Sequence, residues 1–302
     1  MIIARNPDQI FVGMDENRGL TDAIGRQFEY LRLSLTDVCN FRCTYCLPEG
    51  YRKVHGKSHP LSIAETIRAV RAFARLGLWK VRLTGGEPTL RSDFTQIARA
   101  IAAVPGIRQL AMTTNGYRLA EYARAWRDAG ISTINISVDS LDPARFAAIT
   151  GHDRLAEVLR GVSAAQAAGF DSVKLNAVLM RGVNDDELVA MIDFVAAHDL
   201  SLRFIEVMRT NDNVAFFGKR HLAGTAVVDQ LKAAGWQRLP RLPGAGGRIC
   251  TSGSQGAHRH HCAVFAGFLR ELQSAATILR RKTAPLPVRR RRHRPTSAAA
   301  GG

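Results

Sequence analysis

The 302-residue sequence predicts an α/β protein on a parallel sheet, either open and doubly wound or curled into a complete or partial barrel. Two observations carry this. Six short β-rich runs alternate with segments whose apolar residues recur at helical spacing. Gly77, Gly130 and Gly169 follow three of those segments, where a left-handed cap is wanted. A strand–helix–strand order demands right-handed crossovers and hence parallel strands. No Gly-x-Gly-x-x-Gly follows the first strand, which argues against a dinucleotide fold.

In chain order, residues 1–19 are polar and aperiodic, a flexible arm. The run Tyr30-Leu31-Arg32-Leu33-Ser34 alternates with the two-residue period of a strand, and strands are expected likewise at 80–83, 109–113, 133–138, 172–179 and 202–206. Between them lie amphipathic helices at 63–76, 93–103, 119–129, 155–168 and 186–197, with a further helix-like piece at 225–234. Together 20–240 make the barrel region. After about Pro240 no strand–helix alternation is visible, and 241–302 is expected to be an irregular, disordered basic tail.

Charge follows this division. The net +16 splits into +11 over 241–302 (12 Lys/Arg, one acid) and +5 over 1–240 (30 Lys/Arg, 25 acids). The basic block 289–294 is therefore a property of the tail, and like-charge runs are most often solvated. Five cysteines, three of them within eight residues, do not make a secreted disulfide scaffold. The N-terminus lacks the apolar stretch of a signal peptide, and no run reaches the ~18 apolar residues of a membrane span. A cytoplasmic protein is expected.

Cys39, Cys43 and Cys46 have three and then two residues between them. Three thiolates at this spacing suit a [4Fe-4S] cluster with one iron left open for chemistry, whereas a fully ligated cluster only moves electrons. A zinc knuckle and a disulfide are the alternatives. Structural zinc takes a fourth protein ligand and a different spacing. Thr84-Gly85-Gly86-Glu87-Pro88 follows the second strand, where two glycines let backbone approach a ligand and Glu87 and the amides can bind a polar group. Thr113-Thr114-Asn115-Gly116 and Asn135-Ile136-Ser137-Val138-Asp139 repeat this at the next two strand ends. Small polar residues at four consecutive strand ends indicate one functional mouth.

The cysteine loop and the Gly-Gly-Glu-Pro turn resemble the radical S-adenosylmethionine enzymes. Further runs extend the resemblance over about 20–240, to the GTP 3',8-cyclases of molybdenum cofactor biosynthesis. These are Tyr30-Leu31-Arg32-Leu33-Ser34, Met112-Thr113-Thr114-Asn115-Gly116, Arg181-Gly182-Val183-Asn184-Asp185 and Arg203-Phe204-Ile205-Glu206-Val207-Met208. The resemblance implies a partial (βα)6 TIM-like barrel, with Cys39, Cys43 and Cys46 on the cluster. Tyr45, Gly86, Ser137 and Met208 match positions contacting S-adenosylmethionine; Arg32, Arg82, Thr113 and Lys174 match positions contacting GTP. It also implies the chemistry: a 5'-deoxyadenosyl radical takes the ribose C3' hydrogen of GTP, and C3' then attacks guanine C8. The implied partners are an electron donor such as flavodoxin or ferredoxin and a downstream cyclic pyranopterin synthase, with a homodimer among the assemblies allowed.

The resemblance breaks near the C-terminus. The family holds a second cluster there through Cys-x2-Cys-Asn-Arg and a third cysteine after thirteen more residues, and its open iron holds guanine. The sequence has only Cys250 and Cys262 in that region, at another spacing. A shifted reading frame explains this. Moved on by one nucleotide, codons permitted by 264–288 can encode three cysteines in the family spacing, overlapping Leu269/Arg270, Leu272/Gln273 and Leu286/Pro287. The slip then lies before about Gly247. Two rivals are another single-cluster radical enzyme, against which the GTP-matching residues speak, and nucleic-acid binding through 289–294, which lacks interleaved aromatics.

Overall fold

The computed structural model describes residues 19–233, apart from 23–24, 26 and 53–57, and beyond them the backbone of five short strands. In chain order the first elements are β1 (Tyr30–Ser34), β2 (Ser58–Pro60), α1 (Ile63–Arg75), β3 (Lys80–Thr84), α2 (Phe94–Ala102), β4 (Gln109–Thr114) and α3 (Leu119–Asp128). Then come β5 (Ile131–Ser137), α4 (Pro143–Thr150), α5 (Leu155–Ala167), β6 (Ser172–Leu179), α6 (Leu188–Ala197), β7 (Ser201–Glu206), α7 (Val214–Arg220) and α8 (Gly224–Ala233). All six expected strands are present as β1, β3, β4, β5, β6 and β7, parallel and adjacent in chain order. The sheet does not close on itself, so the fold is the partial (βα)6 barrel.

Local signals explain the helices. Ser62 and Glu65 form a reciprocal capping box at the start of α1. Gly77, Gly130 and Gly169 all take positive φ just beyond a helix end, as expected. Two helices are additional to the sequence expectation. One is α4, started by the Asp142 side chain with Pro143 in the first turn and stopped by left-handed Gly151. The other is α7, seven residues long. Both are too short to show a helical period.

The remaining strands are β8 (Gln237–Arg238), β9 (Gly247–Thr251), β10 (His261–Ala266), β11 (Ser274–Thr277) and β12 (Arg280–Lys282). Strand β10 lies parallel to β7, and β11 parallel to β1, so both edges of the sheet are extended. Antiparallel pairs join β9 to β10, β8 to β9 and β12 to β2. The residues between these strands lie outside the described ones. The pairing of the strands was not foreseen. An open sheet edge offers a row of unpaired backbone groups that a strand can join whatever its side chains. The rest of 241–302, and the arm 1–19 except Gly19, lie outside the described residues, and with them the expected disorder.

The sheet has two unlike faces. Outward-pointing Leu31, Leu33, Val81, Leu83, Met112, Ile134 and Ile136 are at most 1% exposed and pack against the helices. Trp126 of α3 seals this layer, edge-on to Phe94 and stacked on Tyr122. A buried ring of this size contributes roughly 3 kcal/mol. Most of the intervening residues are polar: Tyr30, Arg32, Lys80, Arg82, Thr113, Asn135, Lys174 and Arg203. A parallel sheet buried on both faces by structure alone would be apolar throughout. The polar inner face is therefore built to receive something.

Candidate active site

The cysteine loop leaves the carboxyl end of β1 and is clamped from two sides. On one side is the turn after β3. Gly86 N donates to Thr36 O at 2.7 Å, and Glu87 N to Val38 O at 2.8 Å. A Cβ on Gly85 would collide with Thr36 O, and one on Gly86 with Val38 O and Asp37 O, all well inside 3.0 Å. These glycines thus let the turn seat directly on the backbone of the cysteine loop. Gly86→Ala is expected to cost about 3 kcal/mol and to lower cluster uptake with it, read as a drop in melting temperature and in bound iron.

Glu87 departs from the sequence expectation. Its carboxylate is 1% exposed and already engaged. Oε1 accepts from Thr89 N (3.1 Å), Thr89 Oγ1 (2.6 Å) and Thr114 Oγ1 (2.9 Å), and Oε2 accepts from Asn115 N at 2.7 Å. Burial pushes its pKa up, and these bonds oppose that. Glu87 ties the ends of β3 and β4 together; it is not available to a ligand. Asn115 Nδ2 donates to Asn40 Oδ1 at 2.8 Å, adding the cysteine loop to the same knot.

On the other side the loop rests on α4. Arg42 N donates to Thr150 O and Thr44 N to Ile149 O, at 2.8 and 2.9 Å. Tyr45 Oη donates to Asp139 Oδ2 at 2.8 Å, just past β5. Burial raises the Asp139 carboxyl to about 6. The three thiols stand between these clamps, Cys39 and Cys43 half-buried and Cys46 exposed. Burial pushes all three pKa values up; Glu87 adds to this for Cys39, and Asp139 for Cys43 and Cys46. Such thiolates need a positive centre to be stable. Three soft thiol donors gathered on one loop, with no fourth protein ligand in the Cys39–Cys46 run, fit a four-iron cluster with one open iron.

Beneath the loop, Arg32 pairs in register with Arg82, Thr113 with Asn135, Asn135 with Lys174, and Asn176 with Arg203, so these residues share the inner face. Arg82 Nη1 donates to Thr113 Oγ1 at 3.3 Å and to Met112 O at 3.1 Å. Burial, then Arg82 and Arg203, push the Lys80 ammonium down. Thr133 Oγ1 and Asn135 Oδ1 are buried with no hydrogen-bond partner among the described residues. Crowded cations with such atoms beside them favour a polyanionic, hydrogen-bonding ligand.

All residues expected at the site lie on this face or its carboxyl rim. Arg32, Arg82, Thr113 and Lys174 are on strands; Gly86 follows β3, Ser137 ends β5, Tyr45 is in the cysteine loop, and exposed Met208 follows β7. The structure adds Lys80, Arg203 and Asp139. The first two carried a signal, since each lies an even number of residues from another inward-facing position of its strand.

A cysteine triad on the rim of a partial (βα)6 barrel defines the class, and residues 33–195 match the family model of the Radical SAM superfamily. The fold agrees: SuiB of Streptococcus suis, in its structure with S-adenosylmethionine, aligns with a TM-score of 0.57 at 14% identity, over 80% of this chain and 51% of that one. The GTP 3',8-cyclase of Stenotrophomonas maltophilia (strain K279a) is 54% identical over 227 residues, 75% of this chain and 69% of that protein. That of Edwardsiella ictaluri (strain 93-146) is 57% identical over 226 residues, 74% of this chain and 68% of that protein. The chain belongs to the radical SAM superfamily and, within it, to the GTP 3',8-cyclase family.

Proposed function

We propose that this chain carries the radical-generating part of a GTP 3',8-cyclase. The carrying observation is the set of cations on the inner face of the sheet whose carboxyl rim bears the cysteine triad. Cys39, Cys43 and Cys46 would hold the cluster, and Gly86, Ser137, Tyr45 and Met208 would bind S-adenosylmethionine. When bound, these cofactors supply a 5'-deoxyadenosyl radical. The chain's own residues do the rest. Arg32, Arg82, Thr113 and Lys174, with Lys80 and Arg203, take the triphosphate and orient the ribose toward the rim. The barrel wall excludes water from the reacting atoms. A flavodoxin- or ferredoxin-type donor supplies the electron, and a cyclic pyranopterin synthase consumes the product. Arg82→Leu tests the GTP site. It removes a cation and its hydrogen bonds, and GTP is expected to bind at least ~10-fold more weakly while S-adenosylmethionine binding is kept. Unchanged GTP affinity would overturn the assignment.

The second part of the reading concerns 241–302. The alignment with the Stenotrophomonas maltophilia relative spans 227 of the 302 residues. About a quarter of the chain therefore lies outside that alignment, and in the sequence Arg accumulates and the family's cysteine spacing fails within 241–302. Cys250 and Cys262 are partners in the backbone register of β9 and β10, and the sequence has no third cysteine in that region. A slipped reading frame accounts for both features. Sequencing the gene across codons 236–250 is expected to reveal a one-nucleotide slip relative to a frame encoding the family's second triad. Absence of such a triad in any frame would contradict this. Among the described residues no helix is long and apolar enough to cross a membrane.

A further inference from the structure

The second clamp on the cysteine loop is built around a buried carboxylate. Asp139 is 2% exposed and Asn184 fully buried. Asp139 Oδ1 accepts from Val178 N at 2.8 Å, and Oδ2 accepts from Tyr45 Oη at 2.8 Å. Asn184 Nδ2 donates to Asp139 O at 2.6 Å and to Val178 O at 2.9 Å, and its Oδ1 accepts from Met180 N at 2.8 Å. The Tyr45 ring packs on a small apolar cluster of Ile149, Met180 and Val207.

A carboxylate at such a position is costly to bury, and an apolar residue of similar volume is often as stable or more so. What a carboxylate adds is direction. One oxygen is fixed by the carboxyl end of β6 at Val178, and the other fixes the tip of the one aromatic residue between Cys43 and Cys46. The Cys43–Cys46 turn is itself short, with Cys46 N donating to Cys43 O at 2.9 Å. Its tilt above the barrel is therefore set by how Tyr45 is held.

We propose that Asp139, acting through the Tyr45 hydroxyl, is a positioning residue: it sets the tilt of the Cys43–Cys46 turn over the barrel and so the direction in which the open iron presents S-adenosylmethionine to the substrate. This rests on the reading of the triad as cluster ligands. It concerns hydrogen bonding, so an amide should serve where a methyl cannot. In Asp139→Asn the amide oxygen still accepts from Val178 N, and the amide nitrogen donates to a Tyr45 hydroxyl turned to accept.

The test uses the full chain, reconstituted anaerobically, beside Tyr45→Phe, Asp139→Ala and Asp139→Asn. Iron content, melting temperature, S-adenosylmethionine affinity and the paramagnetic resonance spectrum of the reduced cluster with and without S-adenosylmethionine are measured for each. Tyr45→Phe and Asp139→Ala are expected to keep the cluster but bind S-adenosylmethionine about tenfold more weakly, with a diminished spectral change on its addition. Asp139→Asn is expected to behave like the parent. A merely structural role would lower the melting temperature without altering the spectral change. Should Asp139→Ala not fold, Tyr45→Phe, which deletes one oxygen, decides alone. A parent chain that takes up the cluster, with a Tyr45→Phe variant of unchanged affinity and spectrum, would overturn this proposal alone. A parent that takes up no cluster would overturn the cluster reading and the proposal with it.

Discussion

S-adenosylmethionine cleavage is expected to continue in this protein while GTP cyclisation is lost. On the proposed assignment, cleavage needs the triad, the Gly85–Gly86 turn seated on the cysteine loop, and the rim residues Ser137 and Tyr45, all of which lie on the described barrel. Cyclisation needs more, because C3' of the ribose and C8 of the base must both be held against the radical. The inner-face cations can grip the triphosphate, but the guanine end depends on the second cluster of the family, whose cysteine spacing the sequence lacks. An ångström-scale misplacement of a reacting atom already costs on the order of 100-fold in rate. Cyclised product is accordingly expected at least ~100-fold below deoxyadenosine, measured together in one anaerobic assay with dithionite as reductant. Equal amounts of the two would show that 241–302, or the barrel by itself, supplies the guanine anchor.

Cys39→Ala is expected to abolish the cluster and, with it, all deoxyadenosine formation. Cys39 is one of the three proposed ligands and directly follows Val38, whose carbonyl accepts from Glu87 N; Phe41 N lies 3.5 Å from its Sγ. Three thiolates are the smallest set that holds a four-iron cluster with one open iron; two leave it exchangeable. Bound iron and the visible absorbance of the cluster should fall to background, with the melting temperature of the apo chain little changed. Cys250→Ala, in contrast, is expected to leave both signals intact. Retained iron in Cys39→Ala would move the cluster elsewhere in the chain.

Much of this was legible in the sequence. The six central strands were visible because each carries apolar residues at alternate positions facing the helices, as in Leu31 and Leu33 or Val81 and Leu83. The cysteine spacing is local and needs no fold to be read. Partner choice was not legible. The Gly85–Gly86 pair signalled a close backbone approach, but whether to a ligand or to the cysteine loop depends on three-dimensional placement. For the same reason Glu87 looked like a ligand-binding group, although four hydrogen bonds from Thr89, Thr114 and Asn115 engage it. Lys80 and Arg203 were passed over because the resemblance matched only Arg32, Arg82, Thr113 and Lys174 to substrate contacts. The joining of β10 and β11 to the sheet edges was hidden because edge pairing is carried by backbone groups that every sequence shares.

The central claim is one open cluster in a barrel built to hold GTP, and the iron and acid-labile sulfide bound per chain after anaerobic reconstitution test it most directly. About four of each are expected, the complement of a single four-iron cluster. About eight of each would mean a second cluster and would contradict both the loss of the second triad and the predicted uncoupling.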